Sequence, residues 1–178
     1  MTDPTEALVT RARGGDREAL ASLWREHRAW VAAVALAYAP RGADVEDLVQ
    51  DVAAKVIQQI QTLRESHKWR PWLRAITMNT ARSAARSERA RRATRALRAD
   101  DDTLADPKNP TARGDASGAL ERVLALPQEY REPLLLQATR GMTQKQIAEA
   151  LEIPETTVET RLARARRMLR EQNLEHQR

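Results

Sequence analysis

The 178-residue sequence contains no cysteine and no phenylalanine, and its only aromatic residues are four tryptophans and two tyrosines. The absence of cysteine excludes disulfide bonds, thiolate metal sites and cysteine nucleophiles. No apolar run approaches the roughly 20 residues that span a bilayer. The N-terminus also lacks the basic and then apolar pattern of a signal peptide. We therefore expect a soluble, cytoplasmic protein without membrane insertion.

The residues that are abundant favour helices over strands. Hydrophobic residues make up 42% of the chain, and alanine, leucine, arginine and glutamate, which have high helix propensity, are frequent. β-Branched and aromatic residues, which favour strands, are fewer. The length suits one large domain or two small ones. The composition predicts an all-α protein.

Charge is distributed unevenly along the chain, although the net charge is only +5. Residues 64–98 carry 11 Lys or Arg and 2 Glu, whereas residues 99–125 carry 6 Asp or Glu and 3 Lys or Arg. The start of the second stretch is rich in proline, glycine and aspartate and has no helical period, which is typical of a linker. We therefore predict two small helical domains, residues 1–95 and 118–178, joined by a flexible linker, residues 96–117. An ordered acidic loop packed on one domain is the alternative.

Three helices are predicted in the first domain. Residues 16–39 form one, with a break near His27, and Pro71 opens another that runs to Arg95. Between them, residues 44–61 carry a stripe of valine, leucine and isoleucine at helical spacing, and Asp44 is placed to cap the first turn. The apolar stripe consists of Val45, Leu48, Val49, Val52, Val56, Ile57 and Ile60.

The second domain shows the pattern of a helix-turn-helix. A helix that begins near Pro127 and is kinked at Pro133 ends at Gly141. Thr143 and Gln146 then have the spacing of a capping box that opens a short helix. A tight turn at residues 152–154 leads into a longer, basic helix, as in DNA-binding helix-turn-helix units. Its polar face, suited to a major groove, consists of Glu159, Thr160, Ala163, Arg164 and Arg167.

A row of arginines in the first domain is a second candidate for nucleic-acid binding. Arg70, Arg74, Arg82 and Arg86 recur at multiples of four, so they form one slowly drifting row along a helix. Arginines beside aromatic side chains suit phosphate contacts and stacking on unpaired bases. The alternative is that Trp69 and Trp72 belong to the core and that the arginines only solvate the helix.

The start of the helix at residues 44–61 is acidic on its polar face, which carries Glu46, Asp47, Gln50 and Asp51. Such a face is either a solvated helix start or a docking surface for a basic partner. The three histidines show no metal-ligand spacing, and the sequence has no glycine-rich phosphate loop. We therefore expect no enzyme activity, no catalytic residue, no metal and no cofactor.

Taken together, these motifs resemble an RNA polymerase sigma factor. The run DVEDLVQD at 44–51, the segment WLRAITMN at 72–79 and Arg86 resemble sigma region two. The segments LPQEYREPLLL at 126–136, GMT at 141–143, IAEAL at 147–151 and TVETRLARAR at 157–166 resemble region four. Two regions joined only by a linker are similar to the extracytoplasmic-function (ECF) group.

The resemblance implies a function in promoter-specific initiation, with core RNA polymerase and promoter DNA as partners, and it also allows an anti-sigma factor. The polymerase-binding residues it implies are Asp44, Glu46, Asp47, Gln50 and Asp51. The implied contacts to the minus-ten element are Lys68, Trp69, Arg70, Arg74, Asn79, Arg82, Ser83 and Arg86. The implied contacts to the minus-thirty-five element are Thr143, Gln144, Thr157, Glu159, Thr160, Arg161, Ala163, Arg164 and Arg167.

The sequence departs from the family pattern at four positions. Ser83 replaces the usual aspartate, Ala53 replaces phenylalanine, Glu152 replaces the turn glycine, and Glu159 stands where a basic residue is common. These departures bear on promoter sequence and local strain rather than on the fold. The sequence leaves two alternatives to a sigma factor. One is an autonomous helix-turn-helix regulator, and the other is a protein that binds polymerase or an anti-sigma factor without using DNA.

Overall fold

The computed structural model describes residues 3–40, 42–98 and 114–176, and every regular element in these ranges is helical. Two single 3-10 turns, Ile60–Thr62 and Ser66–Lys68, connect the third helix to the fourth. The helices are α1 (Pro4–Arg13), α2 (Arg17–Tyr38), α3 (Val45–Gln59), α4 (Trp69–Arg98), α5 (Gly114–Ala125), α6 (Gln128–Arg140), α7 (Gln144–Leu151) and α8 (Glu155–His176).

The predicted all-α class is confirmed. Helix α4 extends to Arg98 and α5 begins at Gly114, so both ends of the predicted linker are helical, and residues 99–113 lie outside the described residues. Below, α1–α4 are called the N-terminal half and α5–α8 the C-terminal half. Within the described ranges, no helix combines the length and the apolar character needed to cross a bilayer.

Polar side chains cap the first turns of three helices, of which the caps at Asp44 and Thr143 were predicted from the sequence. The Asp44 carboxylate accepts a hydrogen bond of 2.8 Å from the backbone N–H of Glu46 at the start of α3. Thr143 and Gln146 form a complete capping box at the start of α7. Asp16 caps α2 by accepting from the N–H of Ala19, and this bond lowers the pKa of its carboxyl. Such caps satisfy backbone donors that the first turn leaves unpaired.

Helix α2 is the centre of the N-terminal half and packs against α1, α3 and α4. Three details differ from the sequence-based expectation. Helix α1, which was not predicted, covers the core with the buried Val9 and Ala12. Helix α2 continues without a break through His27, whose ring is buried and lies 2.9 Å from the Leu23 carbonyl oxygen.

The third difference concerns Ile57, which was assigned to the buried stripe of α3 but is 63% exposed. Its neighbour Val56 is buried. Because successive helix residues are rotated by about 100°, Ile57 points away from the core that Val56 enters. The assignment of Ile57 to the core was therefore wrong.

The helix-turn-helix of the C-terminal half is formed by α7 and α8. Helix α6 runs through Pro133 and ends at Gly141, whose φ of 58° lies in the left-handed region that glycine tolerates. Buried residues from α7 and α8, including Ile147, Val158 and Leu162, form the core of the unit.

The two halves pack against each other in this structure. Helix α2 lies against α6, and α4 lies against α7. The buried apolar residues of both halves form one continuous cluster, which includes Val31 and Val34 from α2 and Leu135 and Leu136 from α6. The arrangement of the halves therefore depends on contacts far apart in sequence.

Glu152 ends α7 with φ 54° and ψ 44°, and it is the only non-glycine residue with positive φ in the described ranges. A residue with a Cβ atom is strained in this conformation by about 1 kcal/mol. We therefore predict that Glu152→Gly raises the free energy of unfolding by about that amount. Urea denaturation measures the effect. The control Glu152→Ala keeps the Cβ atom and is expected to give no comparable gain, and equal stability of the two variants would contradict the prediction.

Candidate functional site

The acidic residues at the start of α3 form an exposed surface. Glu46, Asp47, Gln50 and Asp51 are all exposed. Asp44 is also exposed, but its carboxylate is used to cap the helix. Both oxygens of the Glu46 carboxylate accept hydrogen bonds from Nη2 of Arg28 on α2, at 2.6 and 2.5 Å. Because Arg28 balances the charge of Glu46, the net negative charge of this surface is carried by Asp44, Asp47 and Asp51.

A cleft of about 500 Å³ separates this acidic surface from α4. Asp47 and Asp51 line one wall, and Ser83, Arg91 and Arg92 belong to the other. Because Ser83 of the candidate DNA-binding surface lines the same cleft as Asp47 and Asp51, the candidate polymerase-binding surface and the candidate DNA-binding surface adjoin each other. The two predicted surfaces are therefore close in space.

Most of the polar residues predicted to bind the minus-ten element are accessible. Lys68, Asn79, Arg82, Ser83 and Arg86 are exposed, and Arg70 is half-buried. They extend from the 3-10 turn before α4 along that helix as far as Arg86. Cations placed along one helix in this way can contact successive phosphates of a nucleic-acid strand.

Trp69 does not belong to this accessible surface. Its side chain is only 2% exposed, and its ring meets the buried His27 edge to face with centroids 5.7 Å apart. The sequence-based placement of Trp69 among the DNA contacts is thus wrong for this structure, because the indole is part of the core. Trp72, which stacks on Trp69 at 5.5 Å, is only half-buried and is the more accessible of the two.

Arg74 departs from its row because it binds the C-terminal half. Its Nε and Nη2 atoms each donate a 2.7 Å hydrogen bond to one carboxylate oxygen of Glu132 on α6. Nη2 also donates to the Tyr38 hydroxyl at 2.8 Å, and that hydroxyl donates to Glu132 at 2.7 Å. We call these three residues the Tyr38–Arg74–Glu132 cluster.

The electrostatics of the cluster keep its two proton donors protonated. Burial and the adjacent Glu132 carboxylate raise the pKa of the Tyr38 phenol well above its ordinary value. The hydrogen bond to Glu132 raises the pKa of the Arg74 guanidinium. Neither residue loses its proton in the physiological range, so the cluster is not a candidate for acid–base catalysis.

The polar side of α8 is exposed as predicted. Glu159, Thr160, Ala163, Arg164 and Arg167 are all accessible, opposite the buried Val158, Leu162 and Ala165. Around them, Thr157 and Arg161 are half-buried, Gln144 is half-buried, and the Thr143 hydroxyl is used in the capping box. The residues predicted to contact the minus-thirty-five element therefore lie together on the helix-turn-helix.

Both tyrosines of the chain contact arginines of the candidate sites, and the sequence reasoning missed both. The Tyr130 hydroxyl accepts a 3.3 Å hydrogen bond from Arg164, beside a cleft of about 300 Å³ that Thr160 and Arg161 also line. Tyr38 contacts Arg74, and the guanidinium of Arg82 lies 5.1 Å from the centre of its ring. The scarcity of aromatics was the one available signal, because the chain has only two tyrosines. Tyr130 lies within the segment at 126–136 that resembles sigma region four, whereas Tyr38 lies outside the segments that resemble the family.

In the part of the chain that the structure describes, no group of three or more His, Asp or Glu side chains is arranged to hold a metal ion.

Family models match both halves of the chain. The model of sigma-70 region 2 matches residues 23–91, and the model of sigma-70 region 4 matches residues 119–169. The two matches occur in the order predicted from the motifs, and together they include α3, α4 and the helix-turn-helix.

Relatives of known function align over almost the full length. RNA polymerase sigma factor NccH of Alcaligenes xylosoxydans xylosoxydans is 31% identical over 177 residues, covering 95% of each chain. The ECF RNA polymerase sigma-E factor of Haemophilus influenzae is 28% identical, covering 95% of this chain and 94% of that protein.

Solved structures share the fold. CnrH, determined in complex with the cytosolic domain of CnrY, is 25% identical with a TM-score of 0.64, and the match covers 95% of this chain and 96% of CnrH. The sigma factor RpoE of Bartonella quintana, determined with the anti-sigma factor NepR, is 22% identical with a TM-score of 0.58, over 83% of this chain and 92% of RpoE.

The two helical domains and their exposed basic faces thus define a sigma-70-type promoter-recognition protein. The chain belongs to the extracytoplasmic-function group of RNA polymerase sigma factors. Its function is that of an RNA polymerase sigma factor in transcription initiation. The alternative of an autonomous helix-turn-helix regulator is not supported, because the similarity to sigma factors extends through both halves.

The exposed position of Glu159 on α8 generates a prediction about base preference. A glutamate in a major groove accepts a hydrogen bond from the cytosine amino group, and a lysine there favours guanine instead. Glu159→Lys should therefore change the preferred base at one promoter position, by roughly 5- to 150-fold in relative affinity. Binding of randomised minus-thirty-five sequences by the reconstituted holoenzyme measures the preference.

Glu121→Lys is the control, because it adds the same charge to an exposed position on α5 in the same half of the chain. An equal rise in affinity for every sequence with both variants would contradict base reading by Glu159 and indicate only relief of phosphate repulsion.

Proposed function

We propose that this sigma factor contacts core RNA polymerase through α3, the minus-ten element through α4 and the minus-thirty-five element through α8. Residues 1–95 and 118–178 act as the two binding domains, joined by residues 96–117. The observation that carries the proposal is the segregation of charge, with an exposed acidic surface on α3 and exposed basic surfaces on α4 and α8.

The acidic surface of α3 suits a basic partner. Charge complementarity across an interface steers association and fixes the register of docking, and no phosphate backbone would bind carboxylates. We assign this surface to polymerase for that reason. The proposed contacts are Asp44, Glu46, Asp47, Gln50 and Asp51.

The basic row of α4 suits a melted DNA strand. Arginine and lysine supply phosphate contacts, whereas asparagine and serine can hydrogen-bond to bases. Trp69 is left out because it is buried, and the half-buried Trp72 is the nearer candidate for stacking. The proposed contacts are Lys68, Arg70, Arg74, Asn79, Arg82, Ser83 and Arg86.

The exposed face of α8 suits the major groove of duplex DNA, which admits one helix. Residues around the start of α7 and the first turn of α8 contact phosphates and position the helix. The proposed contacts are Thr143, Gln144, Thr157, Glu159, Thr160, Arg161, Ala163, Arg164 and Arg167.

We further propose that the protein acts in the cytoplasm, where polymerase works, and catalyses no bond formation itself. A regulatory protein partner of the anti-sigma type is part of the proposal. It is supported by the complexes in which CnrH and the Bartonella quintana RpoE were solved, with the cytosolic domain of CnrY and with the anti-sigma factor NepR.

A transcription assay with purified components tests the proposed function. Promoters are first selected from random duplex DNA by core enzyme mixed with this chain. We expect that the mixture yields transcripts with a defined start site from the selected promoters, whereas core enzyme alone does not. Absence of such transcripts, together with absence of binding to core enzyme, would refute the proposal.

The assignment of α3 to polymerase gives a second prediction. Asp47→Arg reverses a charge at the centre of the acidic surface and should weaken binding to core enzyme by roughly tenfold or more. Fluorescence anisotropy of the labelled chain titrated with core enzyme measures the affinity.

Glu18→Arg is the matched control for Asp47→Arg. Both residues are exposed acidic residues in the first turn of a helix, so both reversals carry the same unfavourable interaction with the helix dipole. Equal weakening by the two variants would contradict a specific contact at Asp47.

A further inference from the structure

The Tyr38–Arg74–Glu132 cluster joins the two halves of the chain at a buried position. The Glu132 side chain is only 5% exposed, and the Arg74 side chain is 23% exposed. Tyr38 and Arg74 come from α2 and α4, whereas Glu132 comes from α6. The cluster is therefore a polar contact between the halves, set within the apolar packing of α2 against α6. We call this packing of the two halves the closed arrangement.

The cluster occupies the donors that Arg74 would use on DNA. A bidentate pairing of guanidinium with carboxylate uses the same planar pair of N–H groups that bind a phosphate. With Nε and Nη2 both donating to Glu132, Arg74 has no such pair to offer on that edge. Arg74 therefore cannot bind Glu132 and a phosphate through this edge at the same time.

The neighbouring arginine of the row is held near the same cluster. The Arg82 guanidinium lies 5.1 Å from the centre of the Tyr38 ring, a distance typical of a cation–π contact. Separation of α6 from α2 and α4 would expose Arg74 and change the surroundings of Arg82. The closed arrangement therefore restrains two of the four arginines proposed to contact the minus-ten element.

The burial of Glu132 makes the closed arrangement dependent on charge. A buried carboxylate is tolerated only when it is paired and hydrogen-bonded. Arg74 and Tyr38 provide three such hydrogen bonds. When the halves separate, water solvates all three groups, so the contact can open without leaving an unpaired charge in an apolar site.

From these observations we propose that Glu132 acts as an internal substitute for a DNA phosphate, which holds the free sigma factor closed and withholds Arg74 from nucleic acid until the two halves separate. The proposal rests on the proposed function, because it takes Arg74 to be a DNA contact.

The absence of cysteine allows a direct measurement of closure in the full-length chain. Ala21→Cys on α2 and Glu149→Cys on α7 introduce two exposed labelling positions, one in each half. Pulsed electron paramagnetic resonance of spin labels at these positions then reports the distance between the halves, with no polymerase or DNA present. The otherwise unaltered chain should show a narrow distribution at the short distance of the closed arrangement.

Charge reversal at Glu132 should open the chain. Glu132→Arg places two cations together at a buried site and should raise the ratio of open to closed molecules by roughly 100-fold. The exchange of both charges, Glu132→Arg with Arg74→Glu, should restore the short distance. Glu121→Arg, at an exposed glutamate in the same half, is the control and should leave the distribution unchanged.

A second measurement tests the link to nucleic acid. Fluorescence anisotropy with a single-stranded oligodeoxynucleotide of random sequence should show tighter binding by Glu132→Arg than by Glu121→Arg, by roughly tenfold, although both add the same charge. Circular dichroism of each variant checks that the helices are intact. The milder variant Tyr38→Phe, which removes only a hydroxyl, should shift the distances in the same direction as Glu132→Arg but less far.

Two outcomes would overturn the inference. Unchanged distances in both Glu132→Arg and Tyr38→Phe would show that the cluster does not hold the halves together. Longer distances without tighter oligonucleotide binding than Glu121→Arg would show that closure does not withhold Arg74. The distances are measured without polymerase or DNA. If they are unchanged in both variants while the chain still supports promoter-specific transcription, this inference fails and the proposed function is unaffected.

Discussion

The carboxylate of Glu132 is buried between the two halves of the chain, and its pairing with the Arg74 guanidinium makes that burial tolerable. The apolar packing of α2 against α6 supplies the attraction between the halves, but apolar contacts alone do not fix one relative position. The bidentate pair and the Tyr38 hydroxyl add direction to this contact. The closed arrangement is therefore held by hydrophobic burial and specified by one charged cluster.

A tyrosine also contacts an arginine of the second proposed DNA-binding surface, on α8. Tyr130 contacts Arg164 on α8 much as Tyr38 contacts Arg74 on α4. The two arginines differ in burial. Arg164 is exposed on the polar side of α8, whereas Arg74 is half-buried and pairs with Glu132 of α6. With the two halves packed together, the proposed minus-thirty-five contacts on α8 are therefore accessible, whereas Arg74 of the proposed minus-ten contacts is paired with Glu132.

Local sequence predicted the elements whose causes are local. Thr143 was expected to cap α7 and Gly141 to end α6, because a side chain or a missing Cβ atom determines each conformation within a few residues. The motifs also predicted the family, which the matches to both sigma-70 regions confirm. Helical period placed Val158 and Leu162 in the core correctly.

The contacts that sequence could not predict are those between distant residues. Glu132 and Arg74 are 58 positions apart, and nothing near either residue indicates its partner. Trp69 was assigned to the DNA surface because it adjoins the arginine row, yet packing against His27 of α2 decides its position. Ile57 was assigned to the core from its apolar character, although its angle around α3 turns it towards solvent. In each case tertiary packing, rather than residue type, sets the environment.

We propose that the charge-segregated surfaces of this ECF sigma factor are its polymerase and promoter contacts and that they function with the two halves apart. The most direct measurement is an electron cryomicroscopy structure of core RNA polymerase with this chain on a promoter selected by the pair. In that structure we expect α3 to contact polymerase, and the arginine row of α4 and the helix α8 to contact the two promoter elements. We also expect Glu132 to be separated from Arg74. A structure in which Glu132 still pairs with Arg74, or in which α3 faces solvent, would contradict it.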